Sequence, residues 1–169
     1  MHVCSSTFAN HRYSYAQAYE VVRTASGIGE GKGPYVLYHD GFYSLGQWAG
    51  FLSGADRIAI DNHPYICFGG QSSAPYSARL TVPCDTWGSD VNNSMTAFGL
   101  TTAGEWSNAI NDCGLWVNGV NDGTRYEGTF AGAAYTGDCT EWVDWQNWDD
   151  SFKADVEQFA LASMSALQV

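Results

Sequence analysis

Arg57-Ile58-Ala59-Ile60-Asp61 is a short, continuous apolar run that passes without a break into Asn62-His63-Pro64-Tyr65-Ile66-Cys67-Phe68. A run of this length, closed at once by polar and turn-forming residues, suits a strand buried on both faces of a parallel sheet. Two further runs share the form. Tyr35-Val36-Leu37-Tyr38-His39 ends at Asp40-Gly41, and Phe98-Gly99-Leu100-Thr101-Thr102-Ala103 ends at Gly104-Glu105-Trp106.

The segments around these runs read as helices and loops. Tyr15, Ala18, Tyr19 and Val22 recur at three- and four-residue steps up to Ala25, and Gly27 follows as a stop signal, which predicts a helix. Leu45 to Leu52 reads as a short helix. Pro75 to Ala97 reads as helical, with Pro83 starting a helix or kinking one. Ser107 to Asn147 is long, Gly-rich and aromatic. Ser151 to Leu167 is predicted to be an amphipathic helix with Phe152, Val156, Phe159, Leu161 and Met164 near one side and Ser151 as its cap. Residues 1–13 show no pattern and are set apart from a single domain over 14–169. Helices alternating with strands predict an α/β fold with a parallel sheet, in which chemistry sits beyond the C-terminal strand ends.

Composition narrows the partners. The formal charge is −11, with seven Lys and Arg, and such a field repels phosphate backbones and anionic headgroups. Nucleic acid and membrane surfaces are therefore poor partners. No apolar run approaches the roughly 20 residues of a membrane span, and Met1-His2-Val3-Cys4-Ser5-Ser6 has no basic region followed by an apolar one. Seven Trp, ten Tyr and eight Phe, many beside Gly, Asn and Asp, suit a neutral carbohydrate, whose C–H faces stack on rings. The same rings also serve as ordinary core.

The five cysteines, Cys4, Cys67, Cys84, Cys113 and Cys139, form no C-x-x-C pair, so a zinc or thioredoxin-type site has no support. Cys113 and Cys139 bracket the Gly-rich stretch and are the favoured pair, with other pairings left open. Asn92-Asn93-Ser94 is a glycosylation sequon, with Asn92 as acceptor.

The strand ends supply the candidates. Glu105 follows a β-prone run and a Gly, where a carboxylate can meet an anomeric carbon. His63 and Tyr65 lie two apart and share one side of an extended segment. Asp40 can hold a neighbouring donor or open a turn with Gly41. Other patterns fail. Gly27-Ile28-Gly29-Glu30-Gly31-Lys32-Gly33 precedes its strand and has no Ser or Thr after Lys32, unlike a phosphate loop. Asn121-Asp122-Gly123 lacks the alternating acidic ligands of a calcium loop. There is no Gly-x-Ser-x-Gly elbow. No metal or organic cofactor is indicated.

In combination, Tyr38-His39-Asp40-Gly41-Phe42, Asp61-Asn62-His63-Pro64-Tyr65, Ala103-Gly104-Glu105-Trp106-Ser107, Leu115-Trp116-Val117-Asn118-Gly119-Val120 and Arg125-Tyr126-Glu127-Gly128 resemble the fungal exo-β-1,3-glucanases of glycoside hydrolase family five. The resemblance runs from Ala16 to Leu167. It implies a (β/α)₈ TIM barrel in which the three runs are strands five to seven, and the release of glucose with retention from β-1,3-glucan. It also implies that Glu105 is the nucleophile, that His63 and Tyr65 line the adjoining subsite with Asp40 and Trp106 nearby, and that Phe68 stands at the cleft entrance. Cys113 pairs with Cys139 in that family, and the partner expected for Cys84 follows the end of this chain. A secreted, monomeric parent is implied as well.

The family's acid/base is the Glu of an Asn-Glu-Pro motif, but Pro34, Pro64, Pro75 and Pro83 are never preceded by Glu. Strands one to four and strand eight have no counterpart here. Neither Glu127 nor Glu141 matches a family acid. The expectation is therefore a truncated, inactive chain. The alternative is a non-catalytic β-glucan-binding module of the same descent.

Overall fold

The computed structural model describes residues 7–168. They divide into two compact units, one from the described part of Met1–His63 with Ser89–Glu105, the other from Pro64–Gly88 with the described part of Trp106–Val169.

The first unit opens with α1, Phe8–Ser26, whose N-cap Thr7 accepts a hydrogen bond from the Asn10 amide. The helix begins seven residues before Tyr15, so residues 8–13 of the segment expected to be unpatterned are its first turns. The apolar stripe there is aromatic rather than aliphatic: Phe8, His11 and Tyr15, at helical spacing, meet the rings of Trp48, Tyr43 and Tyr38 in turn. At the other end, buried Arg23 donates through one nitrogen to the carbonyls of Pro34, Asp56 and Arg57, each at 3.0 Å. That guanidinium holds the helix end against the chain entering both neighbouring strands.

The strands β1 (Val36–His39), β2 (Ile58–Asp61) and β3 (Thr101–Thr102) form a parallel sheet in the order β1-β2-β3. The three runs singled out in the sequence are its strands. Val36 pairs with Ile58 and His39 with Asp61 on one side, and Asp61 pairs with Thr102 on the other. Ala59 and Ile60 are both buried, as a central strand requires. In β1 only Tyr38 is buried and Leu37 is 54% exposed, so the expected burial on both faces holds for β2 and fails for β1. Tyr15 stacks on Tyr38 at 4.9 Å and on Trp48 at 5.6 Å, and Phe51 packs edge-on to both Tyr38 and Trp48. The predicted helix from Leu45 to Leu52 is a single tight turn, Leu45–Trp48. Helix α2, Ser89–Ala97, completes the unit.

In the second unit, the helix expected to start at Pro75 appears as a turn at Tyr76–Ala78 and a widened π-helical turn at Pro83–Gly88 that precedes α2 in the chain. Pro83 has no N–H to donate, which costs no bond in a first helical turn, where that group has no intrahelical acceptor. After the short α3, Thr140–Val143, the chain closes with α4, Asp150–Ala166. Its cap is Asp149, which accepts from the Phe152 amide at 2.8 Å, rather than Ser151, which is already inside the helix. Phe152, Val156, Phe159, Ser163 and Ala166 form the inward stripe. Leu161 and Met164, expected on that side, are 58% and 47% exposed: at 100° per residue, Leu161 lies 200° round from Phe159. Small Gly88 sits against Ala166, where a β-carbon would lie 3.6 Å from the Ala166 carbonyl oxygen. Phe159, Tyr76 and Ile110 form the core beneath, with Trp142, Phe152 and Val156 around it.

The long loop is organised by one charge. Fully buried Asp112 accepts from the amides of Arg125 (2.7 Å) and Tyr126 (3.0 Å) and from Asn118 Nδ2 (2.7 Å), with Arg125 Nη1 at 3.5 Å. Arg125 Nη1 also donates to Asn118 Oδ1, and its guanidinium lies over the Phe130 ring. Glu127 is occupied within the loop, accepting from the Cys139 amide at 3.0 Å. Cys113 and Cys139 form the disulfide named from the sequence. Cys67 is buried and Cys84 exposed, while Cys4 lies outside the described residues.

Two outcomes are expected. Burial opposes ionisation of Asp112, yet the Arg125 and Tyr126 amides, Asn118 and the Arg125 charge outweigh it and hold the carboxyl below its ordinary 3.8. Its contribution is thus present above that value and lost as pH falls through the lower folded one. Urea unfolding followed against pH should show Asp112→Asn less stable at neutral pH, with a flatter acid limb below about pH 4. The disulfide spans a sequence separation of 26. Replacing both its cysteines by Ser should cost about 3–4 kcal/mol on the chain-entropy account, read from the same unfolding curves.

Candidate active site at the strand ends

The register sets His39, Asp61 and Thr102 in one row, so the residues that follow each strand leave the sheet at the same edge. Asp40, next after β1, is buried, and its backbone N–H continues the ladder by donating to Asp61 O at 2.8 Å. Its carboxylate accepts from Asn62 Nδ2 (2.6 Å) and from the Phe42 amide (2.9 Å). Phe42 has a left-handed φ of 58°, uncommon for an aromatic residue, and its ring is 73% exposed. Asp40 thus does both things open to it: it accepts from the Phe42 amide in the turn and holds the neighbouring donor Asn62.

His39 Nδ1 accepts from the Gly41 amide at 3.0 Å, which places its proton on Nε2. Its ring lies edge-on to His63, centroids 4.3 Å apart, with Phe42 beside both. Tyr15 donates to the His39 carbonyl at 2.9 Å; burial, then the charge of Asp40, raises this phenol and keeps it a donor.

Asp61 is the hub. Its Oδ1 accepts from the Gly104 amide at 2.6 Å and from Thr102 Oγ1 at 3.3 Å, and its Oδ2 lies 3.1 Å from His63 Nε2. The other imidazole nitrogen, Nδ1, is 3.7 Å from Glu105 Oε2. Glu105 itself is 64% exposed, whereas His63 is 19% exposed. Gly104 admits no side chain, because a β-carbon there would sit 2.5 Å from Asp61 Oδ1. The arrangement joins a solvent-facing carboxylate to a partly buried imidazole backed by a second carboxylate.

Asp40, His63 and Glu105 thus come together in the first unit. Tyr65, Phe68 and Trp106 belong to the second, where the rings of Tyr65 and Phe68 pack edge-on at 5.4 Å, Phe68 is 48% exposed and Trp106 is half-buried. Asn92 is exposed on α2, and Ser94 of its sequon is buried, sharing a 2.8 Å hydrogen bond with Thr101. Sequence reasoning missed the roles of Asp61, Asn62 and Phe42. An acid closing two neighbouring runs, Asp40 and Asp61, was the available signal. Among the described residues no cluster of three or more His, Cys, Asp or Glu suits a metal ion, and no helix is long and apolar enough to cross a membrane.

No family model matches the chain. It is 29% identical over 158 residues to the glucan 1,3-beta-glucosidase of Schwanniomyces occidentalis, an alignment covering 91% of this chain and 35% of that protein. It is 32% identical over 142 residues to the glucan 1,3-beta-glucosidase of Lachancea kluyveri, covering 79% and 31%. The chain is a relative of the fungal glucan 1,3-beta-glucosidases. A third relative, named "Probable glucan 1,3-beta-glucosidase D", from Aspergillus fumigatus, is 38% identical over 102 residues, covering 57% of this chain and 12% of that protein. The chain therefore spans about a third or less of the length of these relatives.

Replacing Asp40 by Ala removes the acceptor of both Asn62 and the strained Phe42 amide. A loss of about 1–3 kcal/mol is expected in urea unfolding, the cost of stranding a partly buried donor.

Proposed function

We infer that this chain forms part of a retaining glucan 1,3-β-glucosidase in which Glu105 is the nucleophile. The observation that carries this reading is the placement of Glu105: exposed at the C-terminal edge of a parallel sheet, its preceding amide clamped by Asp61 and His63 Nδ1 beside it. Kinship with proteins named glucan 1,3-beta-glucosidase supports the substrate.

In this reading the three strands are the fifth, sixth and seventh of a (β/α)₈ barrel of glycoside hydrolase family five, with the domain running over residues 14–169. Glu105 attacks the anomeric carbon, the glycosidic C–O bond breaks, and the departing oxygen takes a proton from a second carboxyl group. That group then deprotonates the water that releases glucose. A segment outside these 169 residues supplies the second carboxyl, since the sequence holds no Asn-Glu-Pro and Glu127 is held inside its own loop. Two carboxyl groups and water suffice for this chemistry, so no cofactor is invoked. His63 and Asp40 belong to the glucose subsite, and Tyr65, Phe68 and Trp106 enter as sugar-contacting rings through the sequence resemblance. The Cys113–Cys139 disulfide fits an oxidising, extracellular setting. There the monomeric parent acts on cell-wall glucan and Asn92 is the glycan acceptor.

The test separates nucleophile from acid. A dinitrophenyl β-glucoside fluorinated beside the anomeric carbon has a leaving group that departs without protonation, so it needs only the nucleophile. Mass spectrometry should find one fluoroglucosyl group on the peptide containing Glu105, and none on the Glu105→Gln chain. Laminarin hydrolysis by the same chain should be no faster than by Glu105→Gln. A label on another residue refutes the assignment. Binding to insoluble β-1,3-glucan without any label would favour a non-catalytic binding module.

A further inference from the structure

We propose that Asp61 is the positioning residue of this site, setting both the proton arrangement of His63 and the location of Glu105. The proposal rests on Glu105 being the nucleophile, but its geometry stands apart from that reading. A carboxylate only accepts hydrogen bonds, so the 3.1 Å contact between Asp61 Oδ2 and His63 Nε2 requires a proton on Nε2. Nδ1 is then the imidazole atom turned to Glu105, 3.7 Å away. The other oxygen of the same carboxylate accepts the Gly104 amide at 2.6 Å, one residue before Glu105. Thr102 Oγ1 adds a donor at 3.3 Å.

One side chain on the central strand thus reaches both neighbours of the reaction, His63 on its own strand end and the loop following β3. Asp61 is 16% exposed and His63 19%, so water competes little for the contact between them. Packing enforces the arrangement further: the space where a residue other than Gly would put its β-carbon at 104 is filled by Asp61 Oδ1 itself. Asp61 does not touch the anomeric carbon in this scheme. It acts through His63 and through the Gly104 backbone.

The two roles of the carboxylate make the Asp61→Asn variant diagnostic. The Gly104 amide and Thr102 Oγ1 both donate to the Oδ1 place, so the amide oxygen of Asn takes it. Its NH₂ is then left facing His63 Nε2. Two donors cannot share that contact, and the imidazole proton must move to Nδ1.

The experiment is nitrogen NMR of the histidine-labelled full chain at alkaline pH, where an ordinary imidazole carries one proton. The native chain should show His63 protonated on Nε2, and Asp61→Asn should show it protonated on Nδ1. The fluorinated dinitrophenyl glucoside gives the second readout. The saturating rate of Glu105 labelling should fall about 100-fold in Asp61→Asn, the loss expected from a misplacement on the order of 1 Å, with little change in the concentration for half-saturation. If Asp61→Asn does not fold, Gly104→Ala displaces the same carboxylate and should give the same fall in rate.

An unchanged His63 proton position in Asp61→Asn, or unchanged labelling in a folded Asp61→Asn or Gly104→Ala, overturns the proposal while leaving the nucleophile in place. A proton shift as expected in a chain that never labels at Glu105 removes the nucleophile reading and leaves the Asp61 geometry standing.

Discussion

Backbone pairing between three short parallel strands places the ends of β1, β2 and β3 in one row, and every polar contact of the site follows from that alignment. A one-residue slip in β2 would turn Asp61 to the opposite face and leave the Gly104 amide and His63 without their common acceptor. The alignment rests on the central strand, whose Ala59 and Ile60 are buried. Beneath it, the Arg23 guanidinium gathers the carbonyls that precede β1 and β2. Apolar burial fixes the strand in place, and the charged groups at its two ends set which atoms meet.

The second unit uses a buried charge in another way. Asp112 replaces the hydration of its carboxylate with three short hydrogen bonds, two of them from backbone amides. A loop with little regular structure gains a centre to fold around, and the disulfide closes it. The Asn118 and Arg125-Tyr126-Glu127 motifs serve this loop: their donors point at Asp112, and Glu127 holds the Cys139 amide. Their specificity as sequence signals therefore reflects the demands of satisfying one buried carboxylate.

The strands and their parallel arrangement were readable because short apolar runs ending in polar clusters have few other uses. The placement of Glu105, His63 and Asp40 just beyond strand ends was readable for the same reason. Asp61 escaped because, in a linear reading, an acid closing a strand looks like a solubilising residue, and its three partners lie 2, 41 and 43 positions away. The start of α1 escaped because its inward face is built from rings that also suit a loop. Leu161 and Met164 are apolar but lie off the inward face by angle, while small Ser163 and Ala166 take the inward places that close approach requires.

Cys67 is buried and its thiol is pushed up chiefly by that burial, while Cys84 is exposed. Alkylation proceeds through the thiolate, so Cys67 is shielded twice over, by lack of access and by its retained proton. The molecule consequently carries a built-in clock for local opening: the rate at which a small alkylating reagent reaches Cys67 reports how often the ground between Ile66 and Tyr76 comes apart, with Cys84 as the internal reference that is always in reach.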